Sequence, residues 1–457
     1  MVEPRKMRFY GLRDIDNLPQ LQNLTDEQRF RIKVVSHILP FRTNNYVIEE
    51  LIDWNNIPDD PIFRLTFPQA GMLSDDHFNI MADSIRNNTH PDQIKKLANE
   101  IRLELNPHPA GQMTINVPFI DDEPVMGVQH KYRESCLVFP TGGQTCHAYC
   151  TFCFRWAQFI GNNDLKFATD ESKKFQKYIR ESENLTDVLF TGGDPMVMSA
   201  ARLEAYQMPL LEPEFEHIRN IRIGTKSLAY WPYKYVNDRE SAEILKMFEK
   251  ITESGKHLAI MAHFSHNVEL ETPVVREAVR LIRNTGAEIR SQSPVLRHIN
   301  DSSKVWRDMW KVQVSQGIIP YYMFVERDTG ASEYFELPLV QAFNIYRDAY
   351  KSLSGLSRTV RGPSLSAFPG KVVIEGIADI YGEKVFVLNF LQARNADWVK
   401  RPFFAKYNEE ATWLDDLSPA FGKQQFFYED ELNELVRKAK ALRSDYRREK
   451  IQAQEVA

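Results

Sequence analysis

The chain has 457 residues, of which 43% are hydrophobic and 26% charged, and its formal net charge is −5. That is the composition of an ordinary globular protein with length for two or three domains. The mild acidity argues against a nucleic-acid or anionic-membrane partner. No apolar run approaches the ~20 residues of a membrane span, and the start Met-Val-Glu-Pro-Arg-Lys-Met-Arg lacks a signal-peptide core. Four cysteines, three of them clustered, suit metal binding in a reducing, cytoplasmic setting better than a disulfide framework.

The first ~130 residues read as a helical region, with boundaries good to a few residues. Thr25-Asp-Glu-Gln28 has the form of a capping box, Ser74-Asp-Asp76 opens a second helix, and Pro91-Asp92 a third. From Cys136 the pattern alternates. The spacing predicts strands at Cys136–Pro140, Val188–Thr191, Ile221–Gly224, Leu258–His263, Glu288–Ser291 and Ile318–Val325. Amphipathic helices fall between and after them at Glu171–Arg180, Ala200–Leu211, Ser241–Glu253, Pro273–Arg283, Ser303–Gln316 and Leu339–Leu353. Strand–helix units repeating at ~30 residues imply a parallel sheet with helical crossovers. Six units are too few for an eight-stranded barrel, so an open, partial (β/α)6 barrel is expected. Beyond Ser354 an α+β extension follows, with strands and turns to near Gly422 and a charged helix over Glu429–Lys450. The expected division is 1–130, 131–355 and 356–457.

Cys146, Cys150 and Cys153 form a CxxxCxxC triplet in the loop after the first strand of this repeat. Three thiolates so placed suit three irons of a [4Fe–4S] cluster, and a missing fourth ligand leaves one iron open for chemistry. A structural zinc site with His147 or Cys136 as fourth ligand is the plainer alternative, but zinc sites usually pair two separate ligand hairpins, and no second pair is present. Three unrelated buried thiols are a further alternative. The loop lies at the C-terminal strand edge, where α/β folds place their sites.

The triplet resembles that of the radical S-adenosylmethionine (SAM) superfamily. Further segments resemble its lysine 2,3-aminomutase family, in the family's order: Gly127-Val-Gln-His-Lys-Tyr132, Leu189-Phe-Thr-Gly-Gly-Asp194, Ile221-Arg-Ile-Gly-Thr225, His263-Phe-Ser-His-Asn267, Ser291-Gln-Ser293 and Pro320-Tyr-Tyr322. The resemblance runs from about Asp26 to Lys371. It implies a cluster on Cys146, Cys150 and Cys153, with SAM on the open iron as source of a 5′-deoxyadenosyl radical. It further implies a SAM-orienting loop at Gly192, Gly193 and Asp194, and SAM contacts from His263 and Gln292. Pyridoxal 5′-phosphate (PLP) would be held by Lys371 as Schiff-base lysine, with Lys131 and Arg133 as candidates for its phosphate. Arg155 matches the arginine that pairs with the substrate α-carboxylate, for which a guanidinium fork is well shaped. Each residue also has a plainer reading: a tight turn for the glycines, scaffold hydrogen bonds for His263 and Gln292, solvated charge for Lys371, Lys131 and Arg133, and for Arg155 neutralisation of cluster charge or the lining of the SAM site.

The chain departs from the family at two places. The loop before Lys371, Ala367-Phe-Pro-Gly370, has one glycine where the family has several. The two aspartates that grip lysine's distal ammonium in the family align with Arg327 and Ala367, and a cation at Arg327 would repel that ammonium; Glu326 and Asp328 flank Arg327, so an alignment shifted by one residue reverses this argument. The leading expectation is a radical SAM, PLP-dependent aminomutase that moves an α-amino group to the β carbon of an amino acid other than lysine. It would draw electrons from a flavodoxin- or ferredoxin-type donor and form a homo-oligomer. A PLP-independent radical SAM mutase or deaminase, a modifier of a protein lysine, and a metal-stapled interaction protein are the alternatives.

Overall fold

The structure, a computed structural model, describes residues 3–161, 167–169 and 172–456, with the backbone alone for Ser172 and residues 445–456. Its centre is one eleven-stranded sheet in which neighbours in space are neighbours in sequence. In chain order the strands are β1 Val128–Tyr132, β2 Ser135–Val138, β3 Asp187–Phe190, β4 Asn220–Thr225, β5 His257–His263, β6 Glu288–Val295, β7 Ile319–Val325, β8 Arg361–Ser366, β9 Gly370–Ile380, β10 Glu383–Ala393 and β11 Phe403–Lys406. Strands β2 to β8 run parallel, while β1 and β9 to β11 are antiparallel to their neighbours.

All six expected strands are present, and the crossovers are the expected helices with shifted ends. The second stops as an α-helix at Gln207 and continues as a 3-10 turn through Leu211, because Pro209 cannot donate the next helical hydrogen bond. The first runs Ser172–Glu181; its expected start at Glu171 lies outside the described residues. A seventh parallel strand, β8, follows the sixth helix Leu339–Tyr350 and carries the sheet without a break into the C-terminal segment. The sheet is curved far enough for β10 to approach β1. Arg394 at that seam donates to the Phe368 carbonyl (2.8 Å) and to Asn116 Oδ1 (2.7 Å). The fold is the expected partial α/β barrel, with its gap narrowed by the added β9–β11 wall.

The N-terminal region is mixed rather than wholly helical. Thr25 caps Asp26–Ile38 through the capping box with Gln28, and Ser74 caps Asp75–Arg86. Phe9–Gly11 pairs with Arg42–Asn44, however, and β1 itself begins before residue 130. One apolar core joins this region to the barrel, including Val35, Phe63, Phe190, Ile223 and Trp310. A second core, around Phe390, Trp398, Phe403 and Tyr428, holds the β9–β11 wall against the last helix, Glu429–Val456. Among the described residues no helix is long and apolar enough to cross a membrane.

Candidate active site

The cysteine loop leaves β2 at Val138 and lies at the C-terminal edge of the parallel strands. Its shape is set by backbone contacts. Asp194 N–H donates to the carbonyls of Gly143 (2.9 Å) and Thr145 (2.7 Å). A Cβ on Gly193 would lie 2.5 Å from the Thr145 oxygen, so only glycine permits this approach. Gly192 sits at φ +135°, with the Gln144 side chain 2.2 Å from where its Cβ would be. The Gly-Gly-Asp turn thus packs on the cysteine loop itself. The Asp194 carboxylate is buried and accepts from Met196 N (2.9 Å), Lys226 N (2.9 Å) and Thr225 Oγ1 (2.7 Å), which ties the loop to β4.

The N-terminal region holds the outer side of the loop. Tyr149 N–H donates to Arg42 O (2.8 Å), Thr151 N–H to Leu65 O (2.9 Å), and Asn44 Nδ2 to His147 O (3.0 Å). Burial pushes the thiols up, Cys153 to about 12 and Cys150 to about 11; for Cys150 the Lys226 ammonium and the Tyr230 hydroxyl oppose the rise. Burial, then the Asp194 carboxylate and the other two motif thiols, push Cys146 up as well. Such thiols give up their protons to a metal rather than to water. Cys136 is not part of the group: it sits within β2, opposite Val188. Among the described residues no three His, Cys, Asp or Glu side chains converge on a single ion. A cubane asks for something different, one thiolate at each of three corners.

Inside the barrel, below the loop, lies a cavity of about 230 Å³. Lys131, Arg155, His263, Gln292, Arg327 and Lys371 all line it, so six residues singled out in the sequence meet at one place. The register irregularity between Ser291 and Gln292 in β6 marks where Gln292 joins the wall. His263 stacks on Phe152 (5.7 Å), and its Nδ1 is buried without a partner. Arg133 is not brought to the cavity. It lies in the β1–β2 turn and donates to Asn184 Oδ1 (2.8 Å), because the hairpin ends the strand one residue earlier.

The cavity is lined by more basic than acidic side chains. Lys131, Arg155, Arg222, Arg327 and Lys371 line it, and among the described residues Glu326 is the one carboxylate that does. Arg222 is paired with Asp187 (2.6 Å). Arg155 rests on Phe139 (4.4 Å) and Phe154 (4.8 Å), and burial takes it down to about 9. Arg327 faces the same Phe154 ring (5.4 Å), with Nε and Nη2 buried and unpartnered. Glu326 Oε1 is also unpartnered, and burial pushes its carboxyl well up. Lys371 opens β9 with its ammonium over Tyr322 (3.9 Å) and Phe324 (5.2 Å). Burial first, then Arg222 and Arg361, bring it down to about 7. Lys131 is pushed well down by burial and by Arg394, Arg327 and Lys371, and it donates to the Ala367 carbonyl.

Sequence reasoning gave no role to Tyr322 or Arg222, and it named Glu326 only as the neighbour of Arg327 that a shifted alignment would bring to the distal position. Tyr322 and Glu326 stand at or beside the Pro320-Tyr-Tyr322 segment, and Arg222 lies within Ile221-Arg-Ile-Gly-Thr225, so proximity to those motifs was the available signal. Tyr230, whose hydroxyl is 3.2 Å from Cys150 Sγ, gave none, because the turn that carries it has no periodicity to detect.

Three thiols on one loop at the C-terminal edge of a curved parallel sheet, above a polar cavity, are the arrangement that the resemblance to the radical SAM superfamily implies. No family model matches the chain. A protein of Aquifex aeolicus (strain VF5) named "Putative L-lysine 2,3-aminomutase" is 31% identical over 409 residues, 89% of this chain and 95% of that one. The chain belongs to the lysine 2,3-aminomutase family. L-lysine 2,3-aminomutases of Fusobacterium nucleatum and Clostridium subterminale are each 28% identical, over 51% and 58% of this chain; the chain spans only 52% and 60% of their lengths. Among solved structures, a radical SAM methyltransferase from Sphaerobacter thermophilus aligns at a TM-score of 0.36 with 14% identity, covering 54% of this chain and 68% of that one.

Proposed function

We propose that the protein is a radical SAM, PLP-dependent aminomutase that shifts an α-amino group to the β carbon of an amino acid with an anionic or other hydrogen-bond-accepting side chain. The observation that carries this is the convergence of Arg155, Arg327 and Lys371 on one cavity beneath the cysteine loop.

The residues fit the groups the reading requires. The three thiols are a donor set for three irons of a cluster, with none of the remaining ligand pairs a zinc site would use. The glycines at 192 and 193 let their turn pack directly on the cysteine loop, where a Cβ would clash with Gln144 and Thr145. Lys371, brought down to about 7, presents a share of unprotonated amine, the form reactive toward an aldehyde, near neutral pH, and Lys131 lines the same cavity as a hydrogen-bond donor for a phosphate. When bound, cluster and SAM supply a radical able to abstract hydrogen, and PLP supplies a π system across which nitrogen moves.

The chain's own residues position the substrate. Arg155 takes the α-carboxylate and Arg327 the distal group, their guanidinium carbons 4.8 and 5.4 Å from the centre of the Phe154 ring. His263 and Gln292 on neighbouring strands offer polar atoms toward SAM. A lysine side chain would bring a third cation against Arg155 and Arg327 in a cavity where charges are poorly screened. An external flavodoxin- or ferredoxin-type donor and a homo-oligomeric state complete the reading.

The test is anaerobic reconstitution with iron, sulfide, SAM, PLP and reductant against β-deuterated amino acids. Deuterium should appear in 5′-deoxyadenosine with glutamate- or aspartate-like substrates; lysine turned over as fast would refute the preference. One observation favours a PLP-independent mutase as second reading: Lys371 stands on a strand after a single glycine instead of on a glycine-rich loop. Borohydride trapping separates the two, since a pyridoxyl adduct on the Lys371 peptide is compatible with the first alone.

A further inference from the structure

Tyr230 has no role in the function proposed above, yet it touches a motif cysteine. It ends the one-turn helix Ser227–Tyr230 that follows β4, is 1% exposed, and places its hydroxyl 3.2 Å from Cys150 Sγ. The position is fixed from two sides. The Tyr230 carbonyl accepts from Asn44 Nδ2 (2.9 Å), the same amide nitrogen that donates to His147 O inside the cysteine loop (3.0 Å). Lys226 Nζ lies 4.7 Å from the centre of the tyrosine ring. That ammonium is in turn held by Glu269 (2.8 Å) and Ser265 Oγ (3.2 Å), all buried.

We propose that Tyr230 is a positioning residue for the iron–sulfur cluster, its hydroxyl donating a hydrogen bond to the Cys150 sulfur and so raising the cluster's reduction potential. A thiolate bound to iron carries no proton, so the hydrogen in this contact belongs to the tyrosine. Reduction adds negative charge to cluster and sulfurs, and a donor aimed at a ligand sulfur stabilises the reduced state more than the oxidised one. The cation on the ring face withdraws electron density from the phenol and strengthens the donor. Cys150 thereby differs from the other two thiols. Among the described residues, Tyr230 is the side-chain hydroxyl that reaches a motif sulfur.

The inference rests on the reading of Cys146, Cys150 and Cys153 as cluster ligands, and the experiment keeps the two apart. Iron and sulfide are first measured in the anaerobically reconstituted full-length protein; a chain that holds no cluster refutes the ligand reading itself. With a cluster present, an EPR-monitored redox titration compares wild type with Tyr230→Phe. Loss of one hydrogen bond to charged sulfur should lower the reduced-to-oxidised ratio at fixed potential about tenfold, which is about 59 mV in the negative direction for a one-electron couple. An unchanged potential overturns the proposal. Should Tyr230→Phe fail to hold the cluster, the protein carrying 3-fluorotyrosine at position 230 decides alone. Its stronger donor should move the potential upward, and an unmoved potential there overturns the proposal equally.

Discussion

The cysteine loop and the far side of the cavity below it are two walls built on different principles. The wall at the cysteine loop is held by backbone, through residues that do not themselves line the cavity: Gly193 against Thr145, Asp194 N–H on two loop carbonyls, and Tyr149 and Thr151 pinned to the N-terminal region. The opposite wall, from Glu326 to Lys371, is made of side chains. Several of these are buried with nothing to bond, among them Arg327 Nε and Nη2 and Glu326 Oε1. A backbone wall tolerates little change, because each substitution moves the loop it supports. A side-chain wall changes its ligand while the fold stays. Orphaned buried polar groups cost stability, and a site that keeps them is shaped for a partner outside the chain.

The strongest way to break this contrast is to remove a group from each wall. Cys150→Ala should abolish cluster loading, read as iron and sulfide per chain, together with 5′-deoxyadenosine formation. Lys371→Ala should leave iron and sulfide at the wild-type level and abolish the borohydride-trapped pyridoxyl adduct. Adduct formation by the wild-type chain should rise with pH through about 7, because the free amine increases above the Lys371 pKa. A rate that is flat from pH 6 to 8, or an adduct surviving in Lys371→Ala, contradicts the role assigned to this lysine.

Arg327 sharpens the contrast further. Replacing it with aspartate reverses the charge facing the distal group. Catalytic efficiency with an acidic amino acid should fall on the order of 100-fold, as for loss of one partner of a buried charge pair. Efficiency with lysine should rise, and cluster content should not change. Equal losses on both substrates would mean that Arg327 supports the wall and does not read the ligand. Gly193→Ala tests the other wall. Its Cβ meets the Thr145 backbone at 2.5 Å, so the loop must shift, and stability should drop by about 1–3 kcal/mol with poorer cluster loading.

The same difference decides how much was readable in the sequence. The backbone wall is written in local spacing: three cysteines in eight residues, and Gly192-Gly193-Asp194 directly after a strand. Both the barrel and this edge of the site were therefore legible. The side-chain wall depends on long-range register. Lys371 reaches the cavity because the hairpin from Ser366 is too short to hold a glycine-rich loop, so the lysine becomes part of β9. Arg133 and Lys131 look equivalent in sequence, two residues apart, yet the hairpin turn sends one outward and leaves the other inside. Tyr230 is the extreme case, a residue in an unpatterned turn joined to Cys150 across 80 positions.

The smallest expected effect comes from outside both walls. Thr25 caps Asp26–Ile38, accepting from Gln28 N, and its own N–H donates to Gln28 Oε1 (2.8 Å). Thr25→Ala should cost about 1 kcal/mol, the usual worth of an N-cap. That helix packs Val34, Val35 and Ile38 into the core that also holds Phe63 and Leu65, and the Leu65 carbonyl accepts from Thr151 between two of the motif cysteines. If the N-terminal region serves the loop only as a rigid clamp, chemical denaturation should register the loss while cluster potential and substrate preference stay at wild-type values. A change in potential from so distant a cap would mean that the clamp sets the position of the cysteines continuously, and that the backbone wall is less rigid than its hydrogen bonds suggest.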